Sequence, residues 1–90
     1  MKEFLSYILD QLNKLTQLHK TSEKLSDEDT ELLNYLRGTV LFLETYAAHI
    51  NDRRLYQIVD DMEYAISHMW VTFKAEAALK DVEKNISEYS

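Results

Sequence analysis

Residues 53–89, RRLYQIVDDMEYAISHMWVTFKAEAALKDVEKNISEY, decide the fold. From Leu55 the apolar side chains step by three and four through Ile58, Met62, Ala65, Met69, Phe73 and Ala77, with no Gly or Pro between them. That is helical spacing. A second line, Val59, Ile66 and Trp70, widens the face enough for two neighbouring helices. Beyond Phe73 the apolar positions rotate to Val71, Ala75, Ala78 or Leu79, Val82, Ile86 and Tyr89. The spacing predicts one helix over 53–88, about 50 Å long at 1.5 Å per residue, meeting different partners at its two ends.

Working back toward the start, Asn51 or Asp52 can cap this helix, and the short turn makes it the antiparallel neighbour of a helix over 27–50. The cap of that helix is Ser26, with Asp29 three residues on as a short capping box and Asp27, Glu28, Asp29 and Glu31 at the positive end of the dipole. Leu33, Leu36, Val40, Leu43, Ala47 and Ile50 make its aliphatic seam. Tyr35, Gly38 or Thr39, Phe42, Tyr46 and His49 run beside it, and Gly38 there suggests close approach of another backbone. Arg37, Leu41, Glu44 and Ala48 fall on the solvent side. Helix 1 covers about 2–18, with Leu5, Ile8, Leu12 and Leu15 as its seam, followed by a polar connection from His19 to Leu25.

Facing residues of the hairpin sum to roughly 103 if the turn centres near Asn51 and Asp52. The start of the second helix then lies beside Glu76, and the remainder of the third overhangs by about 20 Å. The expected fold is therefore all-α in a single domain over 1–90. Helix 1 precedes a long antiparallel hairpin, and either helix 1 or another subunit covers the overhang; the favoured expectation is a three-helix arrangement completed by self-association rather than a closed monomeric bundle. The residues expected to carry that association are Val71, Leu79, Val82, Ile86 and Tyr89, then Tyr35, Phe42 and Tyr46.

Composition narrows the classes of function. The 90 residues hold one Gly and no Pro, which leaves β-hairpin turns little to be made from. With no Cys, thiolate metal sites and Cys nucleophiles are excluded. Sixteen acidic against ten basic residues give a formal charge of −6, the wrong sign for duplex nucleic acid or an anionic membrane surface. No stretch approaches the ~20 apolar residues of a membrane span. The opening residues carry Glu3 and Asp10 and no small-residue cleavage site, unlike a signal peptide, so a cytoplasmic setting is expected.

Histidine and carboxylate spacing argues against catalysis. Glu44 and His49, like Glu63 and His68, are five residues apart, about 140° around a helix, so neither pair converges on one ion. Asp61, Tyr64, His68 and Thr72 share a line that suits a polar network at a boundary. No Gly-rich phosphate loop or nucleophile elbow is present. No catalytic residue, metal or cofactor is expected. Arg53 and Arg54, at the opening of a helix, have the chemistry to hold an anion.

A short helix followed by two long antiparallel helices, with Met69-Trp70 about 15 residues after Arg53-Arg54, is similar to small phage proteins that sequester cyclic-oligonucleotide immune signals. That resemblance implies a hexamer and shapes an alternative: an oligomeric sponge for a small phosphate-bearing ligand at Arg53 and Arg54. The leading expectation is a non-enzymatic regulator, adaptor or inhibitor of bacterial or phage type. Its partner would be another protein, a further copy of itself, or both.

Overall fold

A computed structural model describes residues 1–21 and 24–89. They form α1 (Lys2–Thr21), α2 (Asp27–His49), α3 (Arg53–Ser67) and α4 (Thr72–Glu88), with no strand among the described residues. The all-helical class stands. The three-helix arrangement does not, because the helix predicted over 53–88 is two helices that reverse at residues 68–71. The two long antiparallel helices of the phage-sponge plan are therefore not the plan of this chain, which turns back at Met69 and Trp70.

The reversal uses neither Gly nor Pro. Trp70, Val71 and Thr72 are a run of aromatic and β-branched side chains with modest helix propensity. Burial decides the matter. A straight helix would leave Leu79, Val82 and Ile86 overhanging in water, whereas folding back leaves them 2%, 0% and 4% exposed. Each such side chain contributes roughly 1.5–3 kcal/mol when buried. The few helical hydrogen bonds forgone are worth about 0.5–1.5 kcal/mol net each, and turn bonds partly replace them. The His68 N–H reaches the Tyr64 carbonyl at 3.0 Å, and the Val71 N–H reaches the His68 carbonyl at 2.9 Å. Met69 is buried and pins the turn to the core, while Trp70 points outward.

The helices run up, down, up and down. Lys2 Nζ meets the Ser87 carbonyl at 3.4 Å, and Gln17 and Lys20 meet the Glu76 carboxylate, so α1 lies antiparallel to α4. Arg54 meets the Glu88 carbonyl at 2.7 Å, which closes the same end between α3 and α4. Packing is closest along the series α2, α3, α4, α1; the side between α1 and α2 is much looser. The core comprises Leu5, Ile8, Leu12 and Leu15 of α1, Leu36, Val40, Leu43 and Ala47 of α2, and the inner faces of α3 and α4.

Several local expectations change with this topology. Helix 1 continues to Thr21, whose hydroxyl donates to the Gln17 carbonyl at 3.1 Å, and Ser22 and Glu23 of the predicted connection lie outside the described residues. Glu76 lies against α1 rather than beside the start of α2. Phe73, Ala77 and Trp70 leave the predicted apolar face for the surface, because α4 takes a new rotational phase after the turn. Gly38 is exposed, and a Cβ there would meet nothing within 4 Å, so no other backbone among the described residues closes on it.

Leu79→Ala tests whether the α4 seam is core. Urea unfolding should show a loss of about 2–5 kcal/mol. An unchanged midpoint would mean that the seam is not buried within the chain.

Candidate functional site

Helix caps define the end of the bundle that carries Arg53 and Arg54. Asn51 adopts φ 57°, a left-handed conformation that Asn tolerates, and so reverses the chain after α2. Asp52 then caps α3, accepting from the Leu55 N–H at 3.0 Å and from the Tyr89 hydroxyl at 2.7 Å. These bonds, the Leu55 N–H first, hold its carboxyl below the usual aspartate range, and the same hydroxyl bond raises the Tyr89 phenol above its ordinary value. Arg54 donates to the Glu88 carbonyl, while Arg53 is exposed and lines an open cleft with Ala47, Ala48 and Tyr56. An external anion would thus compete with a carboxylate that the chain itself places at the start of α3.

The other predicted site residues divide into two groups. Leu79, Val82 and Ile86 lie inside the chain's own core, covered by its own helices. Val71 and Tyr89 are half-buried at the two ends of α4. Tyr35, Phe42 and Tyr46 stand on the outside of α2, 75%, 69% and 41% exposed. At about 100° per residue, they share an arc with Gly38, Thr39 and His49 that turns away from α3. The orientation follows from Glu44, on the opposite side of α2, which meets α3.

Two aromatic side chains that sequence placed in the core are also exposed, in a second region. Trp70 and Phe73 are 71% and 70% exposed at the α3–α4 turn. Trp70 borders a cleft with His19, Leu25, Thr30 and Leu33. Phe73 borders another of about 330 Å³, shared with Asp61, Tyr64, Lys74 and Asp81. Burial pushes the Asp61 carboxyl up, Asp81 and Asp60 add repulsion, and the Gln57 amide opposes them by donating to it at 3.2 Å. His68 stacks on Tyr64 with ring centroids 4.0 Å apart, and its Nδ1 lies 2.9 Å from the Tyr64 carbonyl. Of the predicted Asp61–Tyr64–His68–Thr72 row, this is the pair brought into contact.

Sequence reasoning missed one cluster. Glu44, placed on the solvent side, instead converges with Asp60 and Glu63 across the α2–α3 seam, with ligand oxygens within 4.8 Å of one another. The hairpin register contained the signal, since Glu44 and Asp60 sum to 104, close to the facing value of roughly 103. Glu44 Oε2 is sealed from water without a hydrogen-bond partner. The neighbouring Glu63 carboxyl is the largest influence raising the Glu44 carboxyl above its ordinary value, followed by burial and by repulsion from Asp60. Three carboxylates of this kind have the chemistry to take a proton or a hard cation.

No family model matches the chain, and no curated protein or solved structure is significantly similar to it.

The two carboxylates should respond to pH with opposite sign. Asp52 stabilises the folded state above the ordinary aspartate range, and that contribution fades as pH falls through its lowered value. Asp52→Ala should therefore cost about 1 kcal/mol at neutral pH, roughly 4–8 °C in Tm, with the difference shrinking below about pH 4. Glu44 is favourable when protonated and becomes a burden as pH rises through its raised value. Glu44→Gln should melt above wild type at pH ~7, and the gap should close below about pH 4.3. Melting curves across pH check both; a Glu44→Gln protein that melts lower at neutral pH would show the cluster to be stabilising.

Proposed function

We propose that this protein is a non-enzymatic protein-binding module, a small helical regulator, adaptor or inhibitor of bacterial or phage type. One observation carries the reading: Tyr35, Phe42, Trp70 and Phe73 are each more than two-thirds exposed on an otherwise acidic helical surface. Large aromatic side chains lose the benefit of burial when left in water. Aromatic residues are also enriched in the centres of protein interfaces, where they carry much of the binding energy. The four lie on two regions, the outer arc of α2 and the α3–α4 turn, and the module works by presenting these to a protein surface.

Photocrosslinking tests this directly. Benzoylphenylalanine placed at Phe42, Trp70 or Phe73 in cells expressing the protein should give discrete protein adducts. The same probe at Lys80, exposed on α4, supplies the background. Adducts at the three aromatic positions no stronger than at Lys80 would remove the proposal.

A further inference from the structure

We infer that the outer arc of α2 pairs with the same arc of a second copy, antiparallel about a two-fold axis between Gly38 and Thr39. The inference rests on the protein-binding reading above and names the partner for one of its two regions. Its basis is self-complementarity. In an antiparallel pair centred between residues 38 and 39, facing positions sum to 77. The arc of α2 that carries its exposed aromatic rings holds Glu28, Glu31, Tyr35, Gly38, the half-buried Thr39, Phe42, Tyr46 and His49. It spans about 100°, and with the axis at its centre each of these positions falls opposite another of them.

Each match has a chemical sense. Gly38 faces Thr39 at the axis, where a Cβ on Gly38 would meet nothing within 4 Å among the described residues. The smallest side chains of the arc thus fall where the two backbones cross, and helix axes approach to about 8–10 Å according to the side chains at the contact. Tyr35 faces Phe42 of the other copy twice over, which places the two most exposed rings of α2 in edge or offset contact. Glu31 faces Tyr46, a carboxylate within reach of a phenol. Glu28 faces His49, an acid against the basic residue in the last turn of the helix. A parallel pair would instead stack like charges and leave Gly38 facing Gly38.

The exposed parts of Tyr35, Phe42 and Tyr46 supply on the order of 350–400 Å² per copy, taking about 200 Å² for each whole side chain. A standard interface buries about 800 Å² per partner, so the rings provide its centre and the flanking helix surface the remainder. Such a contact should be reversible and concentration-dependent.

Sedimentation equilibrium from about 1 μM to about 1 mM reads the stoichiometry. Wild type should pass from monomer to dimer. Phe42→Asp, which alters an exposed position, should raise the dissociation constant at least about tenfold while the melting temperature of the monomer holds. Register is read separately by disulfides, because the chain contains no Cys. Glu28→Cys and His49→Cys proteins, mixed under mild oxidation, should join to each other in preference to themselves.

A dimer in which each variant joins only to itself would overturn the antiparallel register. A monomer at every concentration would overturn the self-pairing. Neither result would remove photocrosslinks from Trp70 or Phe73 to another protein, so the two readings fail separately.

Discussion

The apolar seam on α4 is the constraint on which the rest of the structure depends. On a straight continuation of α3, Leu79, Val82 and Ile86 would run past the start of α2, because positions facing Asp27 end near residue 76. Turning the chain at residues 68–71 lays the seam against α3 and opens a position for α1 on its other side. α1 is therefore the fourth wall of a bundle, and its polar contacts, Gln17 and Lys20 with Glu76 and Lys2 with the Ser87 carbonyl, fix it along α4. Small domains are marginal in buried area, so covering this seam within the chain matters to whether a single copy folds.

Closing the core on one side leaves another side open. α2 receives α3 along Leu36, Val40, Leu43 and Ala47 but approaches α1 only loosely. Its aromatic arc consequently stays largely in water, Tyr35 and Phe42 most of all, and the rotation of α4 that buries Leu79 also turns Phe73 out. The exposed aromatic surface and the compact core are thus products of the same topology. Association through that surface is the functional consequence we draw from it. The Glu44–Asp60–Glu63 cluster is a further product, a place where close packing of α2 on α3 forces like charges together and raises the affinity of Glu44 for a proton.

Ser26 was legible as a cap, and Asp52 as one of two candidates beside Asn51, because a cap engages N–H groups only three residues away. The seams of α1, α2 and α3 were legible because helical periodicity places them on one face whatever the partner. The phase change near Phe73 was also visible, and it was the trace of the reversal. Read as one helix it implied two partners for opposite ends; in the structure it marks where one helix ends and the next begins. Residues 68–71 contain no breaker, so nothing local distinguished the two cases.

The sequence by itself determined an all-helical chain, its caps, most of its core and an acidic character, since all of these follow from composition or from interactions spanning one turn. Only the tertiary structure decided that the last helix doubles back, that α1 covers α4, that Glu44 meets Asp60 and Glu63, and which aromatic residues face water. The physical reason is the range of the forces involved. Helical hydrogen bonds and caps close over three or four residues, whereas burial depends on surfaces brought together from distant parts of the chain.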